Sequence, residues 1–351
     1  MTPHSPLRVG LVGAGRIAQL VHLPALAAAD GLEVVGIVEP NDEARVAAGT
    51  LAPRATLYTD LDRMLEEPTV EAIVVAAPTA LHAEIARRAF DADRAVYLEK
   101  PIAVTLDEAA TVLEAAQGHV GMSGLVFRFA RTYQRTRSLL QSGAIGEIVA
   151  VRTVFTSAPR ELPAWKQTRA TGGGVLLDLL SHHADLVAWL IDAPIVEASA
   201  RIRSVRSEAD TASVQLELAS GVSVQTFVSS AAAAAHCVEV VGTEGRLVAN
   251  PWAGDEPDVF GTGLVPSRAE RLRAADPRRA LHRPDFQGPF RRAFETFAEA
   301  ARLRQPVQPS LQDGWQSLAV VEAAERSSAH GGQPAAVDRA GEIEATEAER
   351  G

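Results

Sequence analysis

Three side chains in this sequence have types and spacings that suit proton transfer at an alcohol carbon. Lys100 lies in "VYLEKPIA", and Asp178 and His182 lie four residues apart in "GGGVLLDLLSHHADL". A lysine ammonium stabilises developing alkoxide charge, and a neutral histidine near its reference pKa accepts or returns a hydroxyl proton. Together they predict acid–base catalysis during oxidation of an alcohol or reduction of a carbonyl group.

The segment around His182 has the apolar pattern of a helix. If residues 175–190 are helical, Asp178, His182 and Asp185 share one face, and His183 is rotated by about 100° from His182. The adjacent histidines are therefore not expected to be equivalent.

Two other interpretations of the Asp178 and His182 pair are open. Zinc binding needs at least a third ligand, and the best candidate partner is a lysine, which repels a cation, so we predict no metal. The second interpretation is a core histidine held by a neighbouring aspartate. Against it, Gly172 to Gly174 precede the helix and suit the close approach of a ligand. Lys166 and Arg128 are candidate substrate contacts, with a surface cation as the equal alternative for each.

A glycine-rich segment, "VGLVGAGRIA", follows an apolar strand and begins a helix. In a G-x-G-x-x-A array the first glycine permits a tight turn, the second allows the backbone to approach a pyrophosphate, and the small third residue allows close helix packing. An ordinary glycine turn is the alternative. The predicted cofactor contacts of this loop are Gly13, Gly15, Arg16, Ile17 and Ala18.

An acidic residue, Glu39, ends the next predicted strand, where dinucleotide sites place a ribose-binding carboxylate. A carboxylate there repels a 2′-phosphate, and Asp42 adds to that repulsion. NAD is therefore favoured as the cofactor. NADP stays open as an alternative, because Arg16 and Arg45 offer counter-charges to its 2′-phosphate. A solvated carboxylate at a strand end is the alternative for Glu39.

The elements that must position these residues fall into two classes. The first third of the chain alternates apolar strands and helices, with Asp60 as a helix N-cap, and predicts a doubly wound parallel sheet. Beyond "TYQRTRSLLQSG", short strands with turn signals predict a mainly antiparallel sheet, including a hairpin that turns near Ser220 and Gly221. Residues 251–284 are rich in Pro, Gly and charge and predict an exposed excursion.

Composition narrows the partners of the protein. The 351-residue chain is 47% hydrophobic, with a formal net charge of −10. An acidic balance argues against nucleic acid and anionic membranes as partners. The start lacks an export signal, no apolar run is long enough for a membrane helix, and Cys237 is the single cysteine, so a cytoplasmic protein is expected.

The ordered motifs resemble the glucose-fructose oxidoreductase, inositol dehydrogenase and rhizopine-catabolism (Gfo/Idh/MocA) family of nicotinamide-dependent oxidoreductases. The motifs are the glycine loop, "APTALH", "EKP", "GAIGEIVAVR", "GGGVLLDLLSHHADL" and "LQDGWQSLAVVEAAERSS". The resemblance implies an N-terminal Rossmann domain, 1–124, an α+β substrate and oligomerisation domain on a large open sheet, 125–337, and leaves 338–351 as a disordered acidic tail. It also implies a homodimer or homotetramer.

The resemblance assigns roles residue by residue. Lys100 lies beside nicotinamide and substrate, His182 is the general acid/base, and Asp178 binds or orients the substrate. The remaining cofactor contacts that it implies are Ala77, Pro78, Thr79, His82 and Glu99. The family commonly has Thr or Ser at position 77, Asn at 79 and Gly at 180, where this chain has Ala, Thr and Leu180.

The sequence thus predicts an NAD(P)-dependent oxidoreductase that acts on a secondary alcohol or ketone of a sugar or polyol such as a cyclitol. Two alternatives stay open. One is a non-catalytic, dinucleotide-sensing regulator on the same fold. The other is a reductase of a non-sugar carbonyl or diol-derived substrate.

Overall fold

The apolar runs in the first third of the chain form a six-stranded parallel sheet, as predicted. The computed structural model describes residues 5–261 and 286–339. The strands are β1 (Leu7–Val12), β2 (Leu32–Val38), β3 (Thr56–Tyr58), β4 (Ala72–Val75), β5 (Ala95–Leu98) and β6 (Gly121–Ser123). Their order in the sheet is β3-β2-β1-β4-β5-β6. After β3 the chain continues to β4 on the other side of β1, and open parallel sheets bind ligands at this switch point between β1 and β4.

At three of the helices, the side chain of the residue before the first turn accepts a backbone N–H group of that turn. In chain order the helices are α1 (Leu23–Ala28), α2 (Asp42–Leu51), α3 (Leu61–Leu65), α4 (His82–Asp91), α5 (Leu106–Ala115), α6 (Arg131–Gln141), α7 (Ser181–Ile191), α8 (Gly288–Leu303) and α9 (Leu311–Ala329). Asp60 caps α3 as predicted, because its carboxylate accepts the N–H groups of Asp62 and Arg63. Within the described residues, no helix combines the length and apolar character needed to cross a membrane.

The chain divides into two units, Met1–Val126 with Gln287–Trp315, and Phe127–Phe286 with Gln316–Gly351. The boundary after residue 126 lies close to the predicted one after 124. The predicted second domain, 125–337, differs from the structure because 287–315 returns to the first unit. The predicted tail beyond residue 339 and the predicted excursion beyond residue 261 lie outside the described residues.

Aromatic packing explains why α8 belongs to the first unit. Phe294 and Phe297 are fully buried, and their rings lie 4.8 Å and 5.9 Å from the ring of Tyr97 on β5. Burial of each such side chain contributes about 1.5–3 kcal/mol. The helical pattern of this segment was visible in the sequence, but its partner strand was not.

The second unit contains the predicted, mostly antiparallel sheet. Its strands are β7 (Ile148–Thr156), β8 (Ile195–Arg203), β9 (Thr211–Leu218), β10 (Ser223–Ser229), β11 (Ala235–Gly242), β12 (Gly245–Ala249), β13 (Asp258–Gly261) and β14 (Ala335–Ala336). The order is β13-β12-β11-β7-β10-β9-β8-β14, and β7 pairs with β10 in parallel. The predicted hairpin joins β9 and β10, with Gly221 at a φ of +82°.

Residues of β9 and β10 alternate between buried and exposed, so one face of the sheet is packed and the other is open. The packed face holds a chain of buried polar groups. His183 bonds Thr153 through Nδ1 (2.8 Å) and lies 3.1 Å from His236 through Nε2, and the hydroxyl of Tyr133 lies 3.0 Å from the same His236 nitrogen. Burial lowers the pKa of His183 to about 3 and lowers that of His236 as well, so both rings are neutral.

This neutral pair predicts loss of stability in acid. The unfolded chain protonates both histidines below a pKa of about 6.5, whereas the folded state does not, so the unfolded state binds more protons as the pH falls. Each ring should lower the free energy of unfolding by up to about 1.4 kcal/mol per pH unit below that value. His236→Gln removes one such group, and we expect its urea midpoint to change less than that of the wild type between about pH 7 and pH 5. An equal pH dependence in both proteins would contradict the neutral pair.

Candidate functional site

The glycine loop connects β1 to helical residues that begin at Arg16, in the predicted strand–loop–helix context. Gly13 has a φ of +91°, and a Cβ there would lie 2.6 Å from the backbone of Ala77. A Cβ on Gly15 would meet no atom within 4 Å, so this side of the loop is open. The first glycine is therefore required by close backbone packing, and the second leaves room for a ligand.

Glu39 is bonded to the glycine loop. Its Oε2 accepts the N–H of Ala14 (2.8 Å), and its Oε1 accepts the N–H of Asn41 (2.9 Å). Arg45 donates to the carbonyl oxygen of Glu39 (2.8 Å) and pairs with Asp42, so its charge is balanced. A fixed carboxylate and a neutralised arginine fit a dinucleotide whose ribose carries hydroxyls rather than a phosphate.

His82 joins the turns that follow β4 and β5. Its Nδ1 lies 2.8 Å from the carbonyl oxygen of Pro101, and its Nε2 lies 2.9 Å from that of Ala77. Burial lowers the pKa of His82, the charge of Lys100 adds to this effect, and the carbonyl oxygens oppose it. The ring thus lies between the backbones of two turns, and in its neutral form it donates its one N–H to one of these carbonyl oxygens. A direct contact of His82, Pro78 or Thr79 with a cofactor stays a prediction.

Lys100 is presented by a turn that Glu99 fixes. The Oε2 of Glu99 accepts the N–H of Lys100 (3.1 Å), and the Oε1 lies 3.4 Å from the Nε2 of His22. Burial lowers the pKa of His22 to about 4. The sequence predicted cofactor contact for Glu99 and gave no role to His22. A histidine inside the apolar helix "IAQLVHLPAL" was the signal that could have found it.

In the second unit the structure brings Lys166 and Asp178 together. The Nζ of Lys166 lies 2.9 Å from the Oδ1 of Asp178, and both side chains are partly exposed. Gly173 makes this possible, because a Cβ there would lie 2.3 Å from the carbonyl oxygen of Lys166. The 3₁₀ turn Ala164–Lys166 therefore packs directly on the glycine segment.

The segment before α7 differs from the predicted regular α-helix. Leu176–Leu180 form a π-helical turn, which contains Asp178. The i→i+5 bonding of such a turn widens it, so Asp178 and His182 are not separated by one regular α-helical turn. Leu180, at the position where the family pattern has glycine, is fully buried in the core of this unit.

The adjacent histidines have different environments, as predicted. The ring of His182 stacks on that of Phe127 at 4.5 Å, whereas His183 lies in the buried polar chain beneath the sheet. Arg128 makes a bidentate ion pair with Asp185. A substrate contact by Arg128 stays a prediction, and its charge is balanced within the second unit. No group of three or more possible metal ligands occurs among residues 5–261 and 286–339.

Two family profiles match the chain. Residues 7–125 match the oxidoreductase family with an NAD-binding Rossmann fold, and residues 133–248 match the GFO/IDH/MocA C-terminal domain.

Known proteins resemble it over most of its length. It is 28% identical over 338 residues to inositol 2-dehydrogenase 2 of Saccharopolyspora erythraea, which covers 93% of this chain and 94% of the relative. It is 31% identical over 253 residues to 1,5-anhydro-D-fructose reductase of Ensifer adhaerens, covering 69% and 75%. Levoglucosan dehydrogenase in complex with NADH has a similar fold, with a TM-score of 0.84 at 22% identity over 95% of this chain and 100% of that one.

The bonded carboxylate of Glu39 predicts a change in cofactor affinity on substitution. Glu39→Ala should weaken NADH binding roughly 10- to 100-fold, because hydrogen bonds to a charged acceptor contribute about 1.5–3 kcal/mol. The affinity for NADPH should change less, so the ratio of the NADH affinity to the NADPH affinity should fall. Fluorescence titration with both dinucleotides measures this, with Glu43→Ala on the exposed side of α2 as control. Unchanged NADH affinity in Glu39→Ala would contradict the assignment.

Proposed function

This chain belongs to the Gfo/Idh/MocA family of oxidoreductases, and we propose that it transfers a hydride between NAD and a secondary alcohol or ketone carbon of a sugar or cyclitol. The observation that carries the proposal is the bonding of the Lys100 turn. Glu99 accepts the N–H of Lys100, and the ring of His82 lies within hydrogen-bond distance of the carbonyl oxygens of Pro101 and Ala77. These bonds support the proposal because they hold the backbone of Lys100 at the carboxyl end of the parallel sheet, the edge at which such sheets bind ligands.

The nicotinamide of NAD supplies the hydride acceptor or donor when the cofactor is bound. In our proposal the Lys100 ammonium hydrogen-bonds the reacting oxygen and stabilises its negative charge during the transfer. His182 takes the hydroxyl proton in oxidation and returns it in reduction. Asp178 accepts a hydrogen bond from a substrate hydroxyl and so orients the substrate, or stabilises the imidazolium of His182.

Names of relatives support the substrate class. Two of them are an inositol dehydrogenase and an anhydrofructose reductase, and levoglucosan dehydrogenase has been solved with levoglucosan and with L-sorbose. All four compounds are polyhydroxylated rings or sugars. Partly exposed Lys166 and Asp178 offer hydrogen bonds that suit such hydroxyls.

The proposed roles predict a loss of turnover with cofactor binding retained. Lys100→Ala and His182→Ala should each lower kcat by roughly 10²- to 10⁴-fold, the usual contribution of a positioned acid or base. NADH formation with a panel of sugars, cyclitols and non-sugar alcohols measures this, and fluorescence titration checks NADH affinity.

His330→Ala, at the exposed end of α9, is the matched control and should retain wild-type turnover. Wild-type turnover in both Lys100→Ala and His182→Ala would refute the mechanism. If the protein turns over only non-sugar substrates, the substrate is a non-sugar alcohol or carbonyl compound instead of a sugar or cyclitol. NADH binding without any turnover would favour the non-catalytic regulator.

We also propose that the open sheet face of the second unit joins chains into a homodimer or homotetramer. Phe227 on β10 is 37% exposed on this face, and a cavity of about 690 Å³ lies against Arg152, Gln215 and Gln225. A large face with exposed aromatic surface is typical of a protein interface.

A charged residue in this face should therefore weaken assembly. Phe227→Glu should shift the mass measured by light scattering from two or four chains toward one. Val205→Glu, at an exposed apolar residue outside the strands, is the control and should leave the mass unchanged. An unchanged multimer in Phe227→Glu would place the interface elsewhere.

A further inference from the structure

Aromatic side chains make up only 5% of this chain, yet several of them lie together beside His182. Ring contacts join Phe127, Tyr133, Phe155 and Trp252 with His182, His183 and His236. His182 has its place in the proposed function, and the buried polar chain includes Tyr133. Phe155 and Trp252 still lack an assigned role.

The strand β7 places Phe155 beside His182. Residues two apart on a strand face the same side, so Phe155 lies on the packed side of the sheet with Thr153, which bonds His183. The ring centre of Phe155 lies 6.1 Å from that of His182. A six-membered ring whose hydroxyl reaches His182 is therefore within reach of Phe155.

The ring of Phe155 is held in one orientation. In the antiparallel pairing of β7 with β11, Phe155 lies directly opposite His236. The two rings stack with their centres 4.4 Å apart and an angle of 7° between their planes. Cross-strand contacts of this kind stabilise a sheet. Phe155 nevertheless remains partly exposed, so a ligand meets a surface that is already ordered and loses less entropy on binding.

Trp252 extends this apolar surface and is carried by an anchored turn. Its ring centre lies 6.1 Å from that of Phe155, with an angle of 71° between the ring planes. The Oδ1 of Asn250 accepts the N–H of Trp252 (2.9 Å). The carbonyl oxygen of Gly254 accepts the hydroxyl of Thr132 on α6. Trp252 is also partly exposed, so the two residues present an uncharged aromatic pair beside His182.

A sugar or cyclitol ring has two kinds of surface. Equatorial hydroxyls lie around its rim, whereas axial C–H groups form an apolar patch on each face. Polar side chains bind the hydroxyls and gain nothing from the C–H patch. Burial of that patch against an aromatic ring is favourable, because it removes apolar surface from water and brings C–H groups to the negative face of the ring. Phe155 and Trp252 offer the surface that the polar residues lack.

We propose that Phe155 and Trp252 form a binding subsite for the C–H face of the substrate ring, and that Phe155 determines specificity for cyclic over open-chain polyols. The substrate is then a pyranose or cyclitol without an axial hydroxyl on the face that meets Phe155. Such a hydroxyl would lose its water against the aromatic ring and gain no partner, which weakens binding. This inference rests on the proposed function, because it places the reacting hydroxyl at His182.

Kinetics with ring and open-chain substrates tests the subsite. Phe155→Leu keeps an apolar side chain on β7 but removes the flat ring, and it should lower kcat/KM for the best ring substrate about 3- to 10-fold. With sorbitol, an open-chain polyol, the same substitution should change kcat/KM by less than about twofold, because no ring face is lost. Phe155→Tyr keeps the flat ring and should retain most of the activity on ring substrates.

Phe260→Leu is the matched control, because Phe260 is also a partly exposed phenylalanine on a strand of the same sheet, with its ring 4.5 Å from the guanidinium of Arg246. It should leave the preference for ring over open-chain substrates unchanged. Equal losses on both kinds of substrate in Phe155→Leu, or the same loss in Phe155→Tyr, would show a structural role. Either result overturns the proposal while the proposed function stands.

A binding measurement tests the subsite without turnover. NADH-loaded protein cannot oxidise an alcohol, and in protein labelled with 4-fluorophenylalanine the Phe155→Leu variant identifies the ¹⁹F signal of residue 155. Methyl β-D-glucopyranoside and scyllo-inositol carry equatorial hydroxyls, and at saturation either should shift this signal more than sorbitol does. The galactoside has an axial hydroxyl on one face of the ring and the alloside on the opposite face. One of these two should shift the signal less than the other.

The outcomes separate this proposal from the proposed function. If ring polyols are oxidised but do not shift the signal of residue 155, the subsite is refuted and the proposed function stands. If they shift the signal and no polyol is oxidised, the proposed function fails and the subsite is supported. Equal shifts by the galactoside, the alloside and sorbitol would overturn the proposed contact with one C–H face.

Discussion

At the carboxyl end of the parallel sheet the strands stop, and the backbone groups of the turns that follow must find side-chain partners. In the first unit three side chains supply them. Glu39 bonds the glycine loop, His82 lies between the carbonyl oxygens of two turns, and Glu99 bonds the N–H of Lys100. These contacts hold the glycine loop and the backbone of Lys100 in place. In our proposal, the hydrogen bonds that satisfy the backbone also position the residues that bind the cofactor and act on the substrate.

In the second unit, a glycine and a widened helical turn lie beside the polar side chains of Lys166 and Asp178. Gly173 lets the turn with Lys166 approach the start of the helix, and the π-helical turn Leu176–Leu180 contains Asp178. The apolar residues of that turn are buried, so the carboxylate is carried by a firmly packed element. Asp178 and Lys166 remain partly exposed, while His183 one position past His182 is committed to the core.

Local signals in the sequence predicted the fold class, the glycine turn after β1 and the strand ends that carry Glu39 and Lys100, because each depends on residues close together in the chain. Contacts between distant segments were not predictable. Arg128 and Asp185 pair across 57 positions, and α8 returns to the first unit through aromatic contacts with Tyr97. An amphipathic pattern shows that a helix has a buried face but not what covers it. The π-helical turn was missed since its residues fit a regular helix equally well.

We propose above that Lys100 and His182 both act on the reacting oxygen of the substrate. A crystal structure of the protein with NAD and a polyol that it oxidises tests this most directly. We expect the Lys100 amine and a ring nitrogen of His182 both to lie within about 3.2 Å of the oxygen on the carbon that faces C4 of the nicotinamide. A complex in which either group contacts no substrate oxygen would contradict it.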